Sequence, residues 1–177
     1  MKIYKNFKIE KKFQNSAIAI GNFDGFHLGH QKVINQGKLI AKKNNLKFGL
    51  LVFQPLPIMF FNKKLKNYRI DSLDQKILSS KKHGFDFLII KKFDKKFSSI
   101  SPENFIKEII YKKLKTKLIF ISKNFRFGKN RAGDVKLLKK REDFFKYKTR
   151  TISPLNKKNL IISSTLIRKK IKNGKIE

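Results

Sequence analysis

The segment Gly21-Asn-Phe23-Asp24-Gly25-Phe-His27-Leu-Gly29-His30 carries two of the chain's three histidines. His27 and His30 stand three residues apart, so at the start of a helix they share one face. Gly25 and Gly29 permit tight turning and close approach of a ligand to the backbone. An apolar run, Ser16-Ala-Ile-Ala-Ile20, precedes the segment and reads as a buried strand. Val33, Ile34, Leu39 and Ile40 follow it at near-helical spacing. A strand-to-helix turn aims unpaired backbone N–H groups at whatever lies above it, which makes an anion site. Two imidazoles beside such donors suit the charge that builds on a phosphoryl group under attack. Three plainer readings compete: ordinary surface or core histidines, a metal pair, and glycines that only form turns. The metal pair lacks the carboxylate spacing of H-E-x-x-H, and with G-x-G-x-x-G absent a Rossmann dinucleotide fingerprint is not supported. No metal ligand is assigned.

A second polar segment, Ser163-Ser164-Thr165-x-x-Arg168, opens the last predicted helix. Its hydroxyls and free N–H groups, backed by one guanidinium, can grip a triphosphate tail. Alone, it reads as a plain Ser/Thr cap with a solvated arginine, and beside the His27–His30 turn it reads as a phosphate grip. Two further loops have unusual chemistry. Pro55 and Pro57 bar regular structure beyond residue 54, since proline lacks a donor and restricts its predecessor. Asn124-Phe125-Arg126-Phe-Gly128 reads on its own as a turn with two core phenylalanines.

The elements that must carry these loops alternate along the chain. Strands are predicted at 16–20, 48–53, 87–90, 117–121, 149–152 and 160–162. Helices are predicted up to Asn44-Asn45, from a Ser72-x-x-Gln75 capping box to His83-Gly84, and from Ser101-Pro102-Glu103 onward. Two more are predicted near 135–146 with Asp134 as cap, and from about Thr165 to Asn173 with Gly174 as its stop. Alternation at this spacing implies an α/β, Rossmann-like parallel sheet with helices on both faces and right-handed crossovers. Ligands of such sheets bind outside the carboxyl ends of the strands. There the loops 21–30, 54–57, 122–134 and 163–168 are expected to converge.

With 177 residues the chain reads as one domain with a sizeable core. It has no cysteine, which excludes disulfides, Cys-based zinc sites and thiol catalysis. Lys and Arg total 44 against 12 Asp and Glu, a net charge of +32, yet only six of the 44 are arginine. Specific nucleic-acid readers lean on arginine forks and exposed aromatics. Lysine spread evenly with Asn, Ile and Phe reads mainly as compositional drift. Non-specific polyanion binding is expected from the charge alone. No leader-type apolar region and no membrane-length apolar stretch is seen, which makes the cytoplasm the default location.

The pattern G-x-F-D-G-x-H-x-G-H resembles the nucleotide-binding signature of the adenylyltransferase module in bacterial bifunctional riboflavin kinase/FMN adenylyltransferases, the FAD synthetases. Several further stretches match in order. Phe53-Gln-Pro55-Leu-Pro57 resembles F-x-P-H-P, and Phe93-Asp94 with Ser101-Pro102-Glu103-x-Phe105 resembles F-[DN]…L-S-x-E-x-F. Asn124 to Gly128 with Arg131-Ala-Gly-Asp134 resembles [DN]-F-x-F-G…R-A-G-D, and Ser163 to Arg168 resembles S-S-T-x-I-R. The resemblance implies transfer of AMP from ATP to FMN with Mg²⁺, giving FAD and pyrophosphate by direct attack. It implies His27, His30 and Arg168 as catalytic residues. Gly21, Phe23, Asp24, Gly25, Gly29, Ser163, Ser164 and Thr165 would bind the nucleotide, and Pro55, Pro57, Asn124, Phe125 and Arg126 the flavin. The chain departs from the pattern at Leu56, where histidine is usual, at Gln54, where glutamate is common, and at Ser122-Lys123. The whole chain is read as the adenylyltransferase domain, with the riboflavin kinase domain that normally follows expected to be absent. Two other functions stay open: a non-catalytic basic nucleotide or RNA binder, and a related transferase with another phosphorylated acceptor.

Overall fold

The computed structural model describes residues 1–65, 68–153, 156–157 and 160–174. The chain opens with strand β1 (Lys2–Tyr4), β2 (Ala17–Ile20), helix α1 (Leu28–Lys43), β3 (Phe48–Gln54) and a short helix α2 (Pro57–Phe61). It continues through α3 (Leu73–Lys82), β4 (Phe87–Lys92), one-turn α4 (Lys95–Ser98) and α5 (Pro102–Asn104). A π-helical stretch at Phe105–Lys113 extends α5 and leads to β5 (Leu118–Ser122). Two-residue strands β6 (Arg126–Phe127) and β7 (Gly133–Asp134) precede α6 (Val135–Lys140), α7 (Glu142–Phe145) and β8 (Lys148–Ile152). The last elements are β9 (Asn156–Lys157), β10 (Leu160–Ile161) and α8 (Ser164–Lys172).

The strands order as β1-β4-β3-β2-β5-β8, every pairing parallel. This is the α/β architecture that the alternation implies. Strand order reverses at β2, whose neighbours are β3 on one side and β5 on the other. The ligand crevice of such a sheet lies at that reversal. Parallel strands buried on both faces need near-continuous apolar runs, and Ala17–Ile20 is fully buried. Its alternate side chains divide the core. Ile18 and Ile20 pack with Ile106, Ile109 and Ile110 of the 102–113 helix, whereas Ala17 and Ala19 pack with Val33 and Ile34 of α1.

Helix starts follow their sequence signals. Ser72 Oγ accepts from the Gln75 N–H (3.1 Å) and Gln75 Oε1 accepts from the Ser72 N–H (2.8 Å), the reciprocal pair expected of a capping box. Ser101 caps the Pro102 helix, and Asp134 caps α6. Four expectations need correction. Pro57 does not bar regular structure but occupies the first turn of α2, where its missing N–H has no partner to lose. The helix expected near 135–146 is two short helices broken at Arg141. The strand expected at 160–162 is β10, which pairs antiparallel with β9 away from the main sheet. The 122–134 loop folds partly into an antiparallel β6–β7 ribbon. Among the described residues no helix is long and apolar enough to cross a membrane.

Candidate active site

Gly21 ends β2, and the chain then turns sharply into α1. Phe23 (φ 42°), Gly25 (φ 86°) and Phe26 (φ 35°) all adopt left-handed backbone, costly for the two phenylalanines and easy for glycine. A turn held in so disfavoured a conformation needs fastening, and Asp24 supplies much of it. Its carboxylate, 1% exposed, accepts from the backbone N–H groups of Ile70 and Asp71 and from Arg168 Nη2 at 2.6 Å. Asp71 returns the link by accepting from the Gly25 N–H at 2.7 Å. Asp24 thus ties the turn to the 70–71 segment and to α8.

His27 caps α1. Its Nδ1 accepts from the His30 backbone N–H at 3.4 Å, and its Nε2 lies 3.2 Å from Ser164 Oγ. The Ser164 hydroxyl donates to the Asp24 carbonyl, so its oxygen accepts from the imidazole and the His27 proton resides on Nε2. The His30 ring stacks on His27 with centroids 3.7 Å apart and faces Phe23 at 4.9 Å. His30 Nδ1 is buried with no hydrogen-bond partner among the described residues. A bare lone pair is tolerated there better than an orphaned N–H, which places the His30 proton on Nε2.

Burial pushes the His30 pKa well below 6.5, helped by His27 whenever that ring is protonated and by the Lys76 ammonium. His27 is also lowered, by burial and by Arg168, against an opposing pull from Asp24. Both rings are therefore neutral hydrogen-bond donors at neutral pH.

The second helix start meets the first. Ser163 caps α8 by accepting from the Leu166 N–H, with Ser164 in its first turn and Thr165 exposed to solvent. A Cβ on Gly29 would stand 2.9 Å from the Ile162 carbonyl and 3.1 Å from the His27 ring, so a side chain at 29 would force the two segments apart. Arg168 donates from Nε to the Tyr68 carbonyl, from Nη1 to the Tyr68 hydroxyl and from Nη2 to Asp24, and its guanidinium covers the Tyr68 ring at 4.0 Å. Among the described residues, three of its five N–H donors are engaged.

The structure brings His27, His30, Ser164, Asp24 and Arg168 into one cluster, from segments 137 residues apart for His27 and Ser164. The 55–57 and 124–126 loops leave β3 and β5, the strands flanking β2, and so border the turn on either side. Asn124 and Arg126 are exposed, and Arg126 pairs with Asp134 at 3.3 Å across the ribbon. Phe125 stacks on Phe127 at 5.7 Å. Leu56, at the histidine position of the resembled family, is buried at 1% exposure and does not offer a surface to a ligand. Three participants escaped sequence reasoning: Tyr68, Asp71 and Lys76, the last buried beneath the turn. So did a partly exposed aromatic cluster beside Pro55 and Pro57, where exposed Phe61 meets half-buried Phe60 and Phe93 edge to face. No group of three or more His, Asp or Glu able to hold a metal occurs among the described residues.

Comparison with known proteins assigns the chain to a family. Across its full length the chain is 43% identical to the bifunctional riboflavin kinase/FMN adenylyltransferase of Buchnera aphidicola subsp. Schizaphis graminum, covering 57% of that protein. It is 39% identical to the counterpart from Buchnera aphidicola subsp. Acyrthosiphon pisum, again covering 57%. The chain thus spans 57% of the length of these two relatives. Its fold matches a crystal structure described as a macrolide-efflux protein from Streptococcus pneumoniae, with a TM-score of 0.83 and 23% identity over 99% of this chain and 58% of that one. Residues 9–166 match the FAD synthetase family, and the chain belongs to that family.

Proposed function

We propose that this chain is an FMN adenylyltransferase: a phosphate oxygen of FMN attacks the α-phosphorus of ATP, the bond to the β-phosphate oxygen breaks, and FAD and pyrophosphate leave. The observation that carries the reading is the stacked His27–His30 pair bonded to Ser164, where the N-termini of α1 and α8 meet. In phosphoryl transfer charge spreads over the equatorial oxygens while the attacking and leaving oxygens lie roughly in line, and catalysis is mostly positioning and electrostatics. Neutral imidazoles donating from Nε2, with free N–H groups at both helix starts, answer that charge as it develops. His27 would release Ser164 or share its proton when the triphosphate arrives. Ser163, Ser164, Thr165 and Arg168 would receive the leaving pyrophosphate. Gly21, Gly25 and Gly29 let backbone come close, while Phe23 backs the His30 ring and Asp24 braces the turn.

Mg²⁺ enters here with the substrate. It keeps several waters and is bound largely through phosphates, so it requires few protein ligands. For the flavin, Pro55, Pro57, Asn124, Phe125 and Arg126 edge the crevice. The exposed face of α2, with Ile58 and Phe61 open to solvent, adds flat apolar surface beside them. The +32 charge draws in both anionic substrates and attracts other polyanions without selectivity. A cytoplasmic setting suits these substrates.

The test is conversion of FMN to FAD with ATP and Mg²⁺, followed by loss of flavin fluorescence as adenine stacks on the ring and by chromatography. FAD formation that disappears in His30→Ala is expected. Pyrophosphate release with another phosphorylated acceptor and none with FMN would replace FMN in this reading. Salt-sensitive RNA binding without any adenylyl transfer would favour a non-catalytic binder.

A further inference from the structure

Lys76 is one of 38 lysines, and it is 2% exposed. It lies in the second turn of α3, and its ammonium reaches up beneath the turn that carries both imidazoles. Nζ donates to the Phe23 carbonyl at 2.6 Å and to the Asn22 carbonyl at 3.1 Å, with Asp71 Oδ2 at 3.9 Å and the Phe26 ring at 5.8 Å. These two carbonyls belong to the residues between Gly21 and Asp24, where the backbone enters its left-handed stretch. A buried cation is costly unless it is bonded and paired, so this lysine is held in place by the turn it holds. Nothing in the adenylyl-transfer reading uses its charge directly.

We propose that Lys76 is a positioning residue of the nucleotide site: its ammonium pins the Asn22 and Phe23 carbonyls and thereby keeps the His27–His30 stack in register with Ser164. Asp24 and Lys76 divide the work. Asp24 secures the turn from the side of α8 and the 70–71 segment, and Lys76 secures it from α3. Together they hold backbone that Phe23 and Phe26 would otherwise leave. Lys76 has a second effect through space. Its positive charge adds to burial in disfavouring protonation of His30, which keeps that ring a neutral donor. The charged groups acting on the pair are Asp24, Arg168 and Lys76, while Asp24, Asp71 and Arg69 act on Lys76 itself.

The catalytic consequence rests on the adenylyl-transfer reading, whereas the positioning itself is measured without turnover. In Lys76→Met, NMR titration of the imidazole protons should show the His30 midpoint moving up toward its ordinary value, and the His27 and His30 resonances shifting as the stack loosens. If the wild type makes FAD, kcat should fall about 10- to 100-fold, with KM for ATP moving less than about threefold. Lys81→Met, an exposed lysine on the same helix, should leave every readout at its wild-type value. Should Lys76→Met fail to fold, the wild-type protein carries the test. Its Lys76 ammonium protons should exchange slowly and show hydrogen-bond couplings to the Asn22 and Phe23 carbonyl carbons. Unchanged histidine titrations in a folded Lys76→Met, or a freely exchanging ammonium in the wild type, overturn the proposal. A wild type that makes no FAD refutes the activity and leaves these spectroscopic results standing.

Discussion

Gly29→Ala separates catalytic geometry from stability. The added methyl would lie 2.9 Å from the Ile162 carbonyl and 3.1 Å from Cε1 and Nδ1 of His27. Ordinary contact begins near 3.4 Å, so about 0.5 Å of separation must open between the α1 and α8 starts. Neither obstacle is the far end of a flexible chain: one is backbone, the other a ring stacked on His30. Alanine favours a helix over glycine by about 1 kcal/mol, while overpacking costs about 1–3 kcal/mol. The two effects oppose each other, and a net loss of no more than about 2 kcal/mol is expected. Activity has no such compensation. A misplacement near 1 Å can cost about 100-fold in rate, so a shift of half that size should lower kcat/KM for FAD formation by about 10-fold. The assay is steady-state FAD formation beside urea unfolding of the same preparations. Gly29→Ala with wild-type kcat/KM would show that the His27–Ser164 contact does not set the rate.

Much of the fold was legible because its signals are local. The strand segments 17–20, 48–53, 87–90 and 119–121 are buried on both faces and therefore appear as near-continuous apolar runs. Ser72-x-x-Gln75 and Ser101-Pro102 announce helices through bonds made within four residues. Where local chemistry is ambiguous, reading fails. Proline ends one element and begins another with equal ease, and at Pro57 the second use prevails. Lys2–Tyr4 adds an edge strand whose Lys2 and Ile3 are exposed, so it shows no burial pattern to read. Periodicity through 135–146 is continuous across Arg141, but the chain breaks there into two helices and leaves the second through Lys146 in left-handed conformation (φ 53°).

The candidate site divides in the same way. His27, His30 and Ser164 stand in motifs whose order along the chain suffices to nominate them, although their 3.2 Å meeting is a tertiary fact. Tyr68, Asp71 and Lys76 carry no motif. A lysine among 38 attracts no notice, yet Lys76 shares a helix face with Leu73, Ile77 and Ser80, and all of these face inward at least in part. A charge on an otherwise inward-facing stripe was the available signal. It becomes meaningful only when the stripe is known to lie beneath a turn with carbonyls to bind.

Two further perturbations probe the fastening of that turn and the charge state of its rings. Asp24→Asn removes the charge from a pair with Arg168 in which Asp24 is 1% and Arg168 20% exposed. Breaking a buried pair costs about 3–5 kcal/mol, and partial exposure of the arginine brings the expected loss to about 2–4 kcal/mol, read as a lower urea midpoint at unchanged m-value. The second is acid sensitivity. His27 and His30 both have folded pKa values lowered by burial, so below about pH 6.5 the unfolded chain binds protons that the folded chain refuses. Stability is therefore full above that pH and falls as the pH drops, by roughly 1 kcal/mol per pH unit for each ring until its folded pKa is reached. The lowered carboxylates Glu10, Glu108 and Asp143 act below about pH 4.5, which leaves pH 5–6.5 to the histidines. Urea unfolding across that window should give a slope that shrinks in His30→Gln. A stability that is flat or rises toward pH 5 in the wild type would mean that the two rings are not buried as neutral donors, and the charge-stabilising role assigned to them would fall with that.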